Sequence, residues 1–177
     1  MKGISKVILI NFVLLFSLSC VSQTNYLTFS EYVGIEINGI PFSNISNTKG
    51  DQNAMNTLFN RNFQYESLIM PDYYKKFKDN DLNIQFLKAS NEAGFDYELD
   101  MLMILSSNVN VEIKGHSFKL GDSAADLQNY FLKNQSSGDF VFQINPKANT
   151  FFGRSENFFL VQIKNNVITG IVFVIND

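Results

Sequence analysis

The chain has 177 residues, of which 45% are hydrophobic and 18% are charged, and its formal net charge at pH 7 is −3. This length corresponds to one ordinary domain or to two small halves that share a core. The acidic balance argues against a nucleic-acid partner, which would need a basic patch, and a single cysteine excludes an internal disulfide.

The first twenty residues are predicted to be a cleaved export signal. Lys2 and Lys6 precede an apolar run at 7–18, and small residues follow that run. This is the order of a secretory signal, and the run is shorter than the about 20 residues that a membrane-spanning helix needs. Removal of the two lysines leaves 12 Lys and Arg against 17 Asp and Glu, a formal charge of −5.

Two interpretations of Cys20 stay open. In the first, the stretch from Ser17 to Cys20 is similar to a lipobox, with the small Ser19 before the cysteine, and Cys20 carries the lipid anchor of a bacterial envelope lipoprotein. Ser17 departs from that pattern, which has leucine or a similar residue at this place. In the second, a signal peptidase cuts after Ser22 and leaves a soluble periplasmic or secreted protein. The polar residues 21–30 predict a tether.

Two stretches of the chain, 76 residues apart, nearly repeat each other. Residues 33–42 read VGIEINGIPF and residues 109–118 read VNVEIKGHSF. In both, alternating apolar residues predict a half-buried strand. The glycine that follows Asn38 or Lys114 predicts a tight turn. Each half of the chain is therefore expected to begin with a β-hairpin.

A Gly-Asp pair and a short helix are predicted after each hairpin. Asp51 or Asn53 can cap the first helix, and Asp122 or Ser123 can cap the second. The apolar face of the second helix is predicted to consist of Ala124, Leu127, Tyr130 and Phe131. Further strands are predicted at 82–87 and 95–105 in the first half, and at 140–144, 157–164 and 167–175 in the second.

The sequence thus predicts an α+β fold made of two similar hairpin–helix–antiparallel-strand units, a tandem repeat packed as one domain. The first unit spans 31–105 and the second spans 106–177. One unit of this size holds only a thin core, and two packed units hold a better one. Eighteen phenylalanines and seven tyrosines supply the bulk of that core.

Residues 61–78 have no counterpart in the second half and are predicted to be an insertion in the first unit. Connections of this length are often functional, and tyrosines suit a contact surface. The predicted partner-binding residues are Arg61, Tyr65, Tyr73, Tyr74, Lys75 and Lys76. In the alternative interpretation, Pro71 begins a short helix that packs on the core and leaves its lysines solvated.

The sequence contains no pattern that predicts a catalytic site, a metal or a cofactor. His116 is the only histidine, and it lies in a predicted turn without metal-ligating partners at ligand spacing. Residues 79–83 match the opening of a calcium loop, but Ile84 and Ser90 stand where glycine and a bidentate glutamate are needed. Carboxylates alternate with apolar residues at Asp96, Glu98 and Asp100. This pattern predicts a solvated strand face, and acid/base chemistry is the alternative.

The order of hairpin, Gly-Asp pair, helix and antiparallel strands is similar to that of repeated domains in bacterial envelope lipoproteins. It also resembles the units of outer-membrane assembly lipoproteins of the BamE type and of tandem β-lactamase-inhibitor proteins. The resemblance covers residues 33–59 and 109–175. It implies a protein-binding or assembly role, and it carries over no site residue.

The sequence therefore predicts a non-catalytic, exported protein-binding module with a lipid anchor at Cys20. It would be an assembly component, or an inhibitor or immunity factor, and its partner would be another envelope or secreted protein. The contact would be one sheet face or residues 61–78. Two alternatives stay open. One is a carrier whose phenylalanines line a pocket for a small apolar ligand, and the other is a weak hydrolase that uses the carboxylates or a metal near Asp79.

Overall fold

The computed structural model describes residues 24–68, 74–88, 96–134, 137–144 and 158–174. In these ranges the chain forms four helices, an eight-stranded sheet and a four-stranded sheet, so the predicted α+β class is confirmed. The helices are α1 (Phe29–Val33), α2 (Phe42–Asn47), α3 (Gln52–Phe59) and α4 (Ala124–Gln128). The strands are β1 (Asn25–Leu27), β2 (Glu36–Ile37), β3 (Ile40–Pro41), β4 (Gln64–Leu68), β5 (Tyr74–Lys78), β6 (Leu82–Lys88), β7 (Tyr97–Ile104), β8 (Val111–Ile113), β9 (His116–Phe118), β10 (Phe140–Ile144), β11 (Phe158–Lys164) and β12 (Val167–Val174).

The large sheet has the strand order β1-β10-β11-β12-β7-β6-β5-β4. Its neighbouring strands are antiparallel, except for β1 and β10, which are parallel. The central pair joins a strand from each half of the chain, with Ile171 of β12 opposite Ile104 of β7. One continuous sheet therefore extends through both halves.

The small sheet has the order β3-β2-β8-β9 and consists of the two predicted hairpins. Asn38 and Gly39 have φ of 52° and 77°, and Lys114 and Gly115 have φ of 51° and 77°. Positive φ at both central positions is the geometry of the tight hairpin turn, so both predicted turns are confirmed. The hairpins pair through β2 and β8, which places Glu36 opposite Glu112.

Residues 25–33 belong to the fold, which corrects the predicted tether over 21–30 in its described part and the predicted strand from Val33. Residues 25–27 form β1, and Val33 ends α1. The physical reason is a capping box: the Thr28 hydroxyl accepts a hydrogen bond from the Glu31 N–H, and the Glu31 carboxylate accepts one from the Thr28 N–H.

The predicted helix caps are confirmed for both halves. The Asp51 carboxylate accepts a hydrogen bond of 2.8 Å from the Ala54 N–H at the start of α3. The Ser123 hydroxyl accepts one of 3.2 Å from the Ala125 N–H at the start of α4. Helix α4 is shorter than expected, and the prediction for Tyr130 is wrong, because this side chain lies beyond the helix and is exposed.

Residues 61–78 are neither a long loop nor a helix in their described part. They form the antiparallel hairpin β4–β5 at one edge of the large sheet, with Tyr65 opposite Phe77. Pro71 lies outside the described residues. Phe77 is fully buried and fixes this hairpin on the core. The predicted first unit, residues 31–105, therefore contributes four strands to the large sheet, where two were predicted.

The core lies on one side of the large sheet, between that sheet and a layer made of the helices and the small sheet. Aromatic rings stack across this side: the ring centres of Phe159 and Phe173 are 4.3 Å apart, and those of Phe142 and Phe159 are 5.1 Å apart. Phe42 of α2 stacks on Phe173 from above, and Phe118 of β9 stacks on Phe159. We call this side of the large sheet the covered face.

Candidate functional site

The other side of the large sheet, which we call the open face, carries an apolar centre. Leu102, Phe159 and Phe173 are buried on the covered face. Side chains alternate between the two faces of a strand, so the residues that precede and follow them in the sequence point to the open face. In the ranges that the structure describes, the ring contacts that join α2, β9 and Phe131 to the large sheet lie on the covered face. The apolar centre consists of the half-buried side chains Met101, Met103, Val141, Leu160, Val172 and Val174.

The register of the strands places these side chains in contact with one another. Four of them lie directly opposite each other in one row across β10, β11, β12 and β7, namely Val141, Leu160, Val172 and Met103. In the next row, Val174 is opposite Met101. Three strand spacings of about 4.8 Å give the first row a length of about 14 Å. The apolar centre is thus a continuous strip over the middle of the sheet.

Polar side chains border the apolar centre on the side of β5 and β6. Asn83 is opposite Met103 on β6. On β5, Lys76 and Lys78 lie further toward the edge, and the Lys76 ammonium is 3.6 Å from the Glu66 carboxylate. An apolar centre with a polar rim is the usual anatomy of a protein–protein contact. Methionine side chains also adapt to different partner surfaces.

A β-bulge changes the predicted stripe of carboxylates. Gln85 pairs with Met101 and the next residue of β6 pairs with Leu99, so Asp100 is an extra residue on β7. The Gln85 amide donates a hydrogen bond of 3.1 Å to the Asp100 carboxylate. Partial burial raises the pKa of Asp100, and the bond from Gln85 opposes this shift. Asp96 precedes β7, so the three carboxylates do not form one regular row.

Asp100→Asn is expected to raise the free energy of unfolding at pH 7 by about 0.5 kcal/mol. The pKa of this carboxyl is raised in the folded protein, so the charged form costs stability at neutral pH, and the cost disappears as the pH falls through the folded pKa. Urea unfolding at pH 7 and at about pH 3.5, below the usual carboxyl pKa, measures both effects. Asp96→Asn, at an exposed position, is the matched control. A destabilised Asp100→Asn protein at pH 7 would contradict the assignment.

The residues predicted to bind a partner are divided between the two faces of the sheet. Tyr74 and Lys76 lie on the open face. Tyr65 and Lys75 lie on the covered face, where the Tyr65 ring packs against a core phenylalanine with ring centres 5.3 Å apart. Tyr73 lies outside the described residues. The predicted set therefore does not form one surface, and its role in binding stays a prediction.

Lys75 is held in an aromatic environment on the covered face. Its ammonium lies 3.9 Å from the centre of the Tyr97 ring, and the Lys88 ammonium lies 5.9 Å from the same ring. Partial burial lowers the pKa of Lys75, and the charge of Lys88 adds to this shift while that of Asp51 opposes it. This cation–π contact fixes Lys75 on the side of the sheet away from the open face.

Arg61, the remaining predicted residue, belongs to a polar cluster at the start of β6. Its guanidinium is 3.0 Å from the Asp79 carboxylate and 2.8 Å from the Asp81 carboxylate. Asp81 also accepts hydrogen bonds from the Ser106 hydroxyl and the Asn108 amide. We call these five residues the polar clasp. The segment that resembles the opening of a calcium loop therefore holds a guanidinium between its carboxylates.

The charges of the polar clasp shift its pKa values in opposite directions. The hydrogen bond from Ser106 lowers the pKa of Asp81 most, and Asn108 and Arg61 lower it further against the effect of burial. For Arg61, burial opposes protonation, but Asp79 and Asp81 together raise its pKa. Among the residues that the structure describes, no group of three or more His, Cys, Asp or Glu side chains is placed to hold a metal ion.

His116 is half-buried at the start of β9, where a turn position was predicted. Its ring stacks on the ring of Tyr130, with centres 3.6 Å apart. Together with Asp122 and Asp126 these rings line a small cavity of about 260 Å³. A shallow surface depression of about 550 Å³ lies between α2 and α3, beside Asn44 and Leu58.

The open face was not predicted as a site, although the sequence carries a signal for it. Residues 101–104 read MLMI and residues 171–174 read IVFV, so the last four residues of β7 and of β12 are all apolar. Such runs are typical of strands with both faces covered. Which face the described helices and the small sheet leave uncovered becomes visible only when the strand order is known.

Comparison with protein families, with curated proteins and with solved structures finds no match to this chain. The described part of the chain also contains no helix of the length and apolarity that crossing a membrane requires. The arguments for a function therefore rest on the geometry described above.

Proposed function

We propose that the protein is a non-catalytic, exported binding module of the bacterial envelope, and that a partner protein covers the open face of the large sheet. The observation that supports this most directly is that the last four residues of β7 and of β12 are apolar on both faces of the sheet. An antiparallel sheet with one solvated face normally alternates apolar and polar side chains. The strip from Val141 to Met103 departs from that alternation on the side that the helices do not cover.

The size of the open face suits a protein partner. Seven strand spacings of about 4.8 Å make the sheet about 34 Å wide, and strands of about five residues make it about 17 Å deep. Specific protein contacts bury about 800 Å² on each partner, which is the scale of this face. The partner would be another envelope or secreted protein, and this chain would act in assembly, or as an inhibitor or immunity factor.

The two halves of the chain are, in this proposal, copies of one unit. Glu36 and Glu112 occupy the same place in the two similar stretches, and they lie opposite each other between β2 and β8. The large sheet supports the same relation, because β7, β6 and β5 follow outward from its centre on one side and β12, β11 and β10 on the other. The open face would then be shared by both copies, as in the tandem inhibitor proteins that the sequence resembles.

A lipid anchor at Cys20 is part of the proposal. The stretch from Ser17 to Cys20 supports it, with the small Ser19 directly before the cysteine. Cys20→Ser is expected to remove the mass of the lipid from the mature protein and to release the protein from the membrane fraction. Mass spectrometry of both variants measures this directly. Cleavage after Ser22 in the unchanged chain would contradict the anchor.

The test of the binding surface is site-specific cross-linking in the organism that makes the protein. A photoreactive phenylalanine analogue at position 103 is expected to cross-link one partner protein, and the same analogue at position 130 is expected to give none. Tyr130 is the matched control, because it is an exposed aromatic side chain that stacks on His116 of the small sheet, on the side away from the open face. Met103→Asp is expected to reduce the captured partner by about tenfold or more, the effect of a central contact residue, while Tyr130→Asp leaves capture unchanged.

Two double variants distinguish the predicted residues of β4 and β5 that lie on the open face from those that lie on the covered face. Tyr74→Ala with Lys76→Ala changes the open face, and Tyr65→Ala with Lys75→Ala changes the covered face. The proposal expects weaker capture only for the first pair. Equal capture by Met103→Asp and the unchanged protein would overturn the proposal and would shift the interpretation to the small-ligand carrier. A carrier would use phenylalanine side chains to line its ligand pocket. In this structure, core phenylalanines stack on one another.

A further inference from the structure

Two of the side chains that form the apolar centre of the open face are methionines. Met101 and Met103 are half-buried, and the pairing of β7 with β12 places them opposite Val174 and Val172. The other methionine in the described part of the chain is Met55 of α3, which is fully buried in the core. The methionine side chains of the open face are therefore the ones that solvent reaches.

The sulfur of Met103 has a hydrogen-bond donor beside it. Asn83 of β6 is directly opposite Met103, and its amide donates a hydrogen bond of 3.9 Å to the sulfur. Within the described residues the Asn83 side chain makes no other hydrogen bond, and its amide oxygen is buried without a partner. A thioether sulfur is a weak acceptor. The amide is thus held next to Met103 but is poorly satisfied there.

The amide opposite Met101 is already engaged. Gln85 of β6 pairs with Met101, and its amide donates a hydrogen bond of 3.1 Å to the Asp100 carboxylate. Met101 and Met103 therefore lie on the same face of the same strand and are both half-buried, but they differ in the neighbouring amide. This difference makes Met101 an internal control for Met103.

Oxidation of the Met103 sulfur would give the Asn83 amide a better acceptor. A peroxide transfers one oxygen atom to the thioether, so the S–O bond forms as the O–O bond breaks. The sulfur loses two electrons, and hydrogen peroxide is reduced to water. The amide nitrogen is 3.9 Å from the sulfur, so an oxygen bonded to the sulfur on that side lies within hydrogen-bond distance of it.

We propose that Met103 is an oxidation site that controls the open face, and that Asn83 stabilises its sulfoxide. The control of binding rests on the binding function proposed above. Met103 ends the row of four apolar side chains, so its sulfoxide puts a polar group into the strip that a partner covers. Contacts rich in methionine are disrupted by this change. An oxidised free chain then binds its partner only after a sulfoxide reductase and a thiol restore the thioether.

Hydrogen peroxide tests the site on the purified protein, without a partner. Peptide mass spectrometry follows the sulfoxide at each methionine over time. Met103 is expected to be oxidised at least about tenfold faster than Met55, because a buried sulfur reacts only after local opening of the fold. Equal rates at positions 55 and 103 would overturn the proposal.

Urea unfolding before and after oxidation tests the role of Asn83. Met70, which lies outside the described residues, is replaced by leucine throughout. Met101→Leu then leaves Met103 on the open face, and Met103→Leu leaves Met101. Asn83→Leu removes the donor to the sulfoxide, so the loss of urea midpoint on oxidation should become at least about twofold larger in the Met103 protein. The loss should not change in the Met101 protein.

The comparison of these two proteins decides the role of Asn83. The same effect of Asn83→Leu in both proteins, whether a larger loss or none, would show that Asn83 does not hold the Met103 sulfoxide. Asn83→Ser is the second variant if Asn83→Leu does not fold.

Capture of the partner that is identified by cross-linking at position 103 tests the control of binding. In the Met101→Leu protein, peroxide is expected to reduce capture by about tenfold, the effect of a central contact residue. Met101→Leu with Met103→Leu keeps the strip apolar and removes both sulfurs, so its capture should survive the same treatment. Equal capture before and after oxidation of Met103 would overturn the control of binding.

The two proposals can fail separately. Met103→Asp without effect on capture would refute the binding function, while the mass and urea measurements still decide whether Met103 is an oxidation site that Asn83 stabilises. A loss of capture for Met103→Asp without a loss on oxidation would refute only the control by oxidation.

Discussion

Replacing Phe159 with alanine is expected to lower the free energy of unfolding by about 3–5 kcal/mol. The side chain is fully buried, and its ring lies between those of Phe142 and Phe173, with centres 5.1 Å and 4.3 Å away. Removal of the ring leaves a cavity in the middle of the stack that joins β10, β11 and β12. Single domains have only about 5–15 kcal/mol of stability, so the loss should be visible in a urea titration followed by circular dichroism.

Two variants show whether the effect comes from the core stack. Phe159→Leu keeps most of the side-chain volume and should cost less than half as much. Phe29→Ala removes the same ring from a half-exposed position and should cost less than about 1 kcal/mol. Similar losses for Phe159→Ala and Phe29→Ala would show that the stack does not carry the core.

Features that depend on adjacent residues could be predicted from the sequence. The tight turns at Asn38 and Lys114 follow from the glycine beside each of them, because the turn needs positive φ at both positions. The caps at Asp51 and Ser123 follow in the same way from side chains that reach the next helical N–H groups. The capping box of Thr28 and Glu31 was also present in the sequence, and it outweighed the apolar alternation that had predicted a strand from Val33.

Features that depend on distant pairings could not be predicted. The contact of β12 with β7 places Ile171 next to Ile104, which is 67 residues earlier in the chain. The edge hairpin β4–β5 has few apolar positions, and Phe77 is the fully buried side chain that holds it on the core. Sheet edges commonly carry charged side chains, especially lysine, which oppose pairing with other chains. The sequence of this hairpin therefore looked like a loop rich in tyrosine and lysine.

In the candidate site, too, residue types could be predicted from the sequence, but their placement by distant strand pairings could not. The tyrosines of residues 61–78 were predicted to form a contact surface because of their residue type. The sheet, however, places Tyr65 and Tyr74 on opposite faces. The residues of the apolar centre lie in apolar runs of the sequence, such as IVFV at 171–174. The interpretation of these runs needed the strand order, since the same pattern fits a strand with core on both sides.

Arg61→Met is the second large effect, and it tests the polar clasp. Methionine keeps much of the aliphatic volume of arginine and leaves the carboxylates of Asp79 and Asp81 without their cation. Breaking a fully buried ion pair costs about 3–5 kcal/mol. The three side chains are 19–25% exposed, so solvent screens part of the loss. We expect a decrease of about 2 kcal/mol in the free energy of unfolding at pH 7.

The effect should depend on pH with a definite sign. The pKa of Asp81 is lowered in the folded protein, first by Ser106 and then by Asn108 and Arg61. A depressed folded pKa contributes stability that is present above the unfolded pKa and is lost as the pH falls through the folded pKa. Without Arg61 the folded pKa of Asp81 rises, so this stability is lost at a higher pH. The difference between Arg61→Met and the unchanged protein should therefore shrink as the solution is acidified below about pH 4.

A double-mutant cycle isolates the interaction. Asp81→Asn in the Arg61→Met background should cost less than Asp81→Asn alone, because the carboxylate has already lost its cation. Lys78→Met, which removes an exposed cation from β5, is the matched control and should change stability by less than about 0.5 kcal/mol. Urea titrations of these variants at neutral and acidic pH give the four stabilities. Additive losses, or a difference that does not change with pH, would mean that the guanidinium does not stabilise the fold through Asp81.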